Sequence, residues 1–178
     1  MALACVQSGV DWQHSEAVTT LAKSLNIAFN QDEVLLNNQN VEALIRSEEI
    51  GKGASQVAVH AGLRSALVDL QRAFCKPPGL VADGRDMGTM IFIDAKLKIF
   101  LTANTEVRAQ RRHQQLLAKN QAADYQAILQ DLLARDARDQ GRASAPLKMA
   151  QDAILLNTDH LGIHEAVAFI LQAFEAKK

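Results

Sequence analysis

Along this chain, stretches with helical apolar spacing alternate with apolar runs too short to be helices, and that alternation limits the fold more than any other feature. Short strands separated by helix-length segments give a layered α/β arrangement with a parallel sheet, because parallel strands need a long crossover between them. Val18, Leu21, Ala22 and Leu25 recur at i, i+3, i+4 and i+7, which predicts a helix capped by Ser15. Ile27–Phe29 and Glu33–Asn37, separated by polar residues, predict an antiparallel hairpin, with Val41–Ile45 as one more strand. From Ser47 to Phe74 helical spacing returns through Ile50, Val57, Leu63, Leu67, Leu70 and Phe74, with Gly51, Gly53 and Gly62 as expected breaks. Leu80–Ala82, Leu97–Thr102 and Ala153–Leu156 read as strands of the parallel sheet. Helices are expected from about Glu106 to Lys119 and from Asp124 to Arg142, and a closing helix carries the apolar stripe Ile163, Val167, Ile170, Leu171 and Phe174, assigned to packing.

Most of the chemistry gathers where the run Leu80-Val81-Ala82 breaks into Asp83-Gly84-Arg85-Asp86-Met87-Gly88-Thr89. Ligands of open α/β sheets bind at the carboxyl ends of strands. Arg85 offers a planar fork to phosphate there, and Asp86 can accept from an amino group or a hydroxyl. A surface turn with an internal ion pair is the plainer reading of the same tetrapeptide. Further on, Arg108, Arg111 and Arg112 share one helix face with no acid between them, which suits either solvent or an anion. Arg135, Arg138, Asp139 and Arg142 also fall on one face, where internal salt bridges are the simple alternative. Ser55 and Arg64 are possible ligand groups on the earlier helical stretch, or else a cap and a solvated cation.

With 178 residues, of which 48% are apolar, the chain can build one domain with a real core. Its formal net charge of −1 gives no basic field for nucleic acid, so a polyanion site has to be local. No run is long enough to span a bilayer, the first residues lack a secretory pattern, and Cys5 and Cys75 make no disulfide framework; cytoplasm is the expected compartment. Of the five histidines only His160 and His164 have i, i+4 spacing, and without a third ligand no metal site is expected.

In order along the chain stand Gly53-Ala54-Ser55-Gln56-Val57-Ala58, Arg64-Ser65-Ala66-Leu67, Gln71-Arg72, Asp83-Gly84-Arg85-Asp86-Met87-Gly88-Thr89, Lys98-Ile99-Phe100-Leu101, Arg108-Ala109-Gln110-Arg111-Arg112 and Arg135-Asp136-Ala137-Arg138-Asp139. This series resembles the bacterial cytidylate kinases, members of the P-loop nucleoside monophosphate kinases, over nearly the whole chain. The resemblance implies a three-layer α/β core with a parallel sheet and a small hairpin insertion, a single domain over 1–178 with an acceptor-binding region at 26–75 and a lid at 106–142. It also implies transfer of a phosphoryl group from ATP, with Mg2+, to CMP or dCMP by a monomer. Ser55, Arg64 and Asp86 would read the cytosine edge, Asp139 would hold the sugar, and Arg85, Arg135 and Arg142 would gather the acceptor phosphate. Arg108, Arg111 and Arg112 would lie on the lid over ATP, and with Arg85 they make the implied catalytic set.

One departure stands beside these matches. The family opens with a strand, a Gly-x-x-x-x-Gly-Lys-[Ser/Thr] loop and a helix, and this sequence contains no such run: Gly51-Lys52-Gly53 lacks the earlier glycine. The expectation is a kinase domain missing its first strand and P-loop, inactive by itself, with a nucleotide-binding or structural remnant as the alternative. In the implied sheet the missing strand separates Leu80–Ala82 from Lys98–Leu101, so those two should stand apart and unpaired, leaving the chain marginally stable.

Overall fold

The computed structural model describes residues 1–30, 33–141 and 147–177, which fall into two compact units, Met1–Val81 and Ala82–Lys178.

The first unit holds α1 (Ala2–Gln7), α2 (Ser15–Lys23), the strands β1 (Ile27–Asn30), β2 (Glu33–Leu36) and β3 (Gln39–Asn40), then α3 (Glu42–Ile45), α4 (Glu48–Val57) and α5 (Ala61–Ala73). The expected hairpin is present: β1 and β2 pair antiparallel with Phe29 opposite Val34, and β3 adds to β2. The segment read as a strand at Val41–Ile45 is instead the helix α3. Asn40 turns the chain by accepting the Glu42 N–H at its Oδ1 (3.0 Å), and Glu42 pairs with Arg46 one turn on. Ser15 is not the cap of α2; His14 is, its Nδ1 accepting from the Ala17 N–H at 3.2 Å.

The glycines expected to break the next helical stretch lie inside helices, and the break falls at Ala58–His60. Their size explains two of them. A Cβ on Gly53 would sit 2.5 Å from the Trp12 ring, and one on Gly62 would sit 2.8 Å from Thr19 Oγ1. Trp12 is fixed from both sides: its Nε1 donates to the Ala2 carbonyl (3.1 Å), and its own carbonyl meets His60 Nε2 at 2.7 Å. It joins two apolar clusters, one of Leu3, Leu36, Val41 and Ile50, the other of Cys5, Val18, Ala22, Val57 and Leu63. Cys5 sits wholly out of solvent at the centre of the second.

The second unit contains a single π-helical turn (Met87–Ile91), β4 (Ile99–Thr102), α6 (Thr105–Ala118), α7 (Tyr125–Gly141), β5 (Ile154–Asn157) and α8 (Ile163–Glu175). Strands β4 and β5 pair in parallel, with Phe100 opposite Leu155 and Leu101 opposite Leu156. The fold is thus α/β with a small parallel sheet and a separate antiparallel hairpin. Leu80–Ala82, by contrast, forms no strand, and Val81 is fully exposed. A strand exists only through its partner's hydrogen bonds, and no described residue supplies them. Nor is the stripe of α8 packed as expected: no residue of this helix is buried, and Ile163 is 82% exposed.

Candidate active site

Within the second unit the Asp83–Thr89 turn is held by its own backbone. The Asp86 carbonyl accepts from the N–H groups of Thr89 (3.3 Å), Met90 (2.9 Å) and Ile91 (3.3 Å), which winds the π turn directly after the motif. Gly84 and Gly88 are close-packing positions: a Cβ would lie 2.8 Å from Met87 Cγ at the first and 3.2 Å from the Lys98 side chain at the second. Lys98, only 8% exposed, donates to the Ile93 carbonyl (2.6 Å) and to Asp152 (2.9 Å), clamping the far side of the same loop. Asp86 is buried within this frame.

Arg85 reaches from the turn to α7. Its Nε donates to Asp139 Oδ2 at 3.0 Å, with Arg85 37% and Asp139 2% exposed. Arg135 approaches the same oxygen from one helical turn earlier, but its Nε stands 3.9 Å away, and this buried nitrogen has no hydrogen-bond partner among the described residues. Burial, and next the positive charge of Arg85, pull the Arg135 guanidinium below its usual range. Two arginines thus converge on one buried carboxylate, and one of them holds a donor that an added anion could satisfy. Arg142, expected beside them, lies outside the described residues.

On α6 the three arginines take different partners. Arg108 grips Asp136 of α7 through Nη1 to Oδ1 (3.0 Å) and Nη2 to Oδ2 (2.5 Å), and also donates to the Ala103 carbonyl and to Thr105 Oγ1. This contact holds Asp136 below the ordinary carboxylate range and raises Arg108. Arg111 points to the loop after β5, donating to Thr158 Oγ1 (3.2 Å), the Thr158 carbonyl and the Leu161 carbonyl (3.1 Å). The half-buried Arg112 completes the face. Sequence reading assigned no role to Asp136, Thr158 or Lys98, because each acts on a residue at least 28 positions away. The signal open to it was an aspartate between two arginines in Arg135-Asp136-Ala137-Arg138.

The other two residues expected to read cytosine belong to the first unit. Ser55 is buried on α4, and Arg64 on α5 is half-buried with Nη1 donating to the Ala58 carbonyl at 3.3 Å. Among the described residues no three His, Cys, Asp or Glu side chains are close enough together to hold a metal ion. Asp136 and Asp139 are both taken up by arginines, so this donor set suits phosphate oxygens, and magnesium fits it only as an ion carried on nucleotide phosphates.

In this parallel α/β unit Arg108 and Arg111 bond to groups directly after β4 and β5, the strand ends where such sheets bind ligands, and the site so built suits the class of nucleotide-phosphate enzymes. Comparison with known proteins narrows the class. The family model described as Cytidylate kinase matches residues 1–176, and the chain belongs to that family. It is 50% identical to the cytidylate kinase of Cupriavidus pinatubonensis over 176 residues, which are 99% of this chain and 80% of that protein. To the cytidylate kinase of Cupriavidus necator it is 49% identical, covering 79% of it, and to that of Burkholderia vietnamiensis 51% identical, covering 77%. No helix among the described residues is long and apolar enough to cross a membrane.

Proposed function

We propose that the site serves transfer of the γ-phosphoryl group of ATP to CMP or dCMP, giving CDP or dCDP. The observation that carries this reading is the convergence of Arg85 and Arg135 on buried Asp139, beside the Asp86 turn. Phosphoryl transfer asks the protein mainly to place and neutralise oxygens that are already anionic. Arg85 and Arg135, with Arg142, take the acceptor phosphate. Asp139 orients Arg85 and takes a sugar hydroxyl once CMP uncovers it. Ser55, Arg64 and Asp86 read the cytosine amino group, which donates where uracil offers only a carbonyl. Arg108, Arg111 and Arg112 lie on the ATP side, Arg111 acting through the Thr158–Leu161 loop that it holds. Mg2+ would come bound to the ATP phosphates and would supply charge neutralisation there.

In this proposal 26–75 is the acceptor-binding region, within the first unit, and 106–142 is the lid, within the second. The core is the three-layer arrangement of the P-loop kinases, working as a cytoplasmic monomer on small molecules, without nucleic acid or membrane. The 178 residues contain no P-loop run, which elsewhere supplies the phosphate cradle and a magnesium-holding hydroxyl, so turnover by this polypeptide by itself is negligible, the alternative being a nucleotide-binding or structural remnant.

Calorimetric titration with CMP, dCMP and UMP tests the acceptor site, and an ATP-coupled assay, run on this chain and on the chain extended by its upstream coding sequence, tests transfer. Binding of CMP and dCMP well above UMP, with turnover only in the extended protein, is expected. Equal use of UMP would remove the base-reading roles, and brisk turnover by the 178-residue chain would remove the claim of inactivity.

A further inference from the structure

Arg108 commits four of its five guanidinium N–H groups. Its Nε donates to the Ala103 carbonyl (3.1 Å), one N–H of Nη1 to Asp136 Oδ1 (3.0 Å), and Nη2 to both Thr105 Oγ1 (2.7 Å) and Asp136 Oδ2 (2.5 Å). Thr105 Oγ1 donates in turn to Asp136 Oδ2 at 3.3 Å. These bonds leave only one N–H of Nη1 uncommitted, so in this state Arg108 cannot present a fork to any second anion. Yet the node is placed for one: Ala103 and Thr105 follow β4 directly, at the carboxyl end of a parallel strand, where ligands of open α/β sheets bind. It is also within reach of solvent, the side chains of Arg108 and Asp136 being 33% and 24% exposed.

We propose that Asp136 is an internal stand-in for nucleotide phosphate at Arg108: carboxylate and phosphate compete for one guanidinium, and binding of a triphosphate moves Arg108 from α7 to the nucleotide. The proposal rests on the reading above that α6 faces ATP. Its physical basis is that a carboxylate and a phosphate accept the same bidentate fork, so the two cannot both hold Arg108. Asp136 also ties α6 to α7, the helix that carries Arg135 and Asp139, so the exchange at the ATP side loosens the helix of the acceptor side. Asp136 is a positioning residue in this scheme, with no contact to the reacting atoms.

Competition makes a prediction that a merely structural ion pair does not. Asp136→Asn should bind ATP more tightly than the unmodified chain, although a helix contact has been lost. The full chain, Asp136→Asn, Arg108→Met and the double variant are titrated calorimetrically with MgATP, with inorganic tripolyphosphate and with CMP, after circular dichroism shows that each is folded. Expected is a gain of at least about fivefold for ATP and tripolyphosphate in Asp136→Asn, the lower end of ordinary coupling between sites. That gain should vanish in the Arg108→Met background, and CMP affinity should change much less. A gain that survives without Arg108 would reduce the effect to general charge and overturn the proposal, as would equal affinity in the parent and Asp136→Asn. In the unmodified chain the Arg108 Nε–H resonance should move during the ATP titration, a readout that needs no substitution; a fixed resonance at saturation also overturns the exchange. If CMP binds and ATP affinity ignores Asp136, the exchange fails alone, whereas a chain that binds neither nucleotide removes the functional reading with it.

Discussion

Arg85 Nε donates to Asp139 Oδ2 across 3.0 Å, and the carboxylate that receives this bond is 2% exposed. A buried anion with one close arginine and a second at 3.9 Å is stable only as part of the group. Asp139→Ala leaves two cations facing each other, and because both arginines are more than a third exposed, water offsets part of the loss. The expected destabilisation is about 1–3 kcal/mol, below the range for fully buried pairs. Urea unfolding followed by circular dichroism measures it, with CMP affinity falling in parallel. Unchanged stability and unchanged CMP affinity together would mean that the pair organises nothing.

The Arg108 contact depresses the Asp136 carboxyl, so its folded-state value lies below that of the unfolded chain. The sign follows from linkage: the pair contributes fully above the unfolded carboxylate value, about 3.9, and its contribution is lost as pH falls through the lower folded value. Asp136→Asn should therefore flatten the acid limb of the stability curve below about pH 4 while leaving the shape between pH 6 and 8 unaltered. Thermal unfolding of both proteins across that range decides the point, and parallel acid limbs would count against it.

Gly51 and Gly53, two residues apart on α4, should respond in opposite directions to alanine. At Gly53 the new methyl would meet the Trp12 ring at 2.5 Å, while at Gly51 nothing lies within 4 Å. Gly53→Ala should cost about 1–3 kcal/mol through overpacking and alter the fluorescence of the single tryptophan. Gly51→Ala should stabilise by about 0.5–1 kcal/mol through helix propensity. A common sign for both substitutions would mean that Trp12 is not seated on α4.

Arg111 satisfies two carbonyls and a hydroxyl in the loop after β5. Arg111→Met should expose the Thr158–Leu161 amides to faster hydrogen exchange and cost about 1–2 kcal/mol, and Arg111→Lys should rescue little, since an ammonium cannot span the same three acceptors. Exchange rates in that loop equal to those of the parent would show that the loop holds itself.

Much of this fold was legible because it is local. Apolar spacing located α2, α8 and the helical stretch that holds α4 and α5, and a polar break between two short apolar runs located the β1–β2 hairpin. The errors share a nonlocal cause. Leu80–Ala82 has a strand's composition, but a strand is made by its neighbour, and Val81 ends fully exposed. Gly53 and Gly62 look like breaks until Trp12 and Thr19 arrive against them from elsewhere in the chain. At the candidate site, residue types and spacing pointed to arginines that meet anions, and the ordered motifs pointed to the family. What the pattern could not reveal is which anion each arginine already holds: Asp139 for Arg85 and Asp136 for Arg108, each partner 54 and 28 positions away respectively.

The complete burial of Cys5 gives the first unit a chemical clock of its own. The chain has two free thiols, Cys5 at the centre of the Val18 and Leu63 cluster and Cys75 exposed beyond α5. Burial also raises the Cys5 thiol above its ordinary value, so in the closed state less of it is the reactive thiolate. An alkylating reagent will therefore consume Cys75 at once and Cys5 only in the fraction of molecules in which α1, α2 and α4 have parted from one another. The ratio of the two rates, read by mass spectrometry on a native sample without denaturant, reports the opening free energy around Cys5 when reclosing outpaces alkylation.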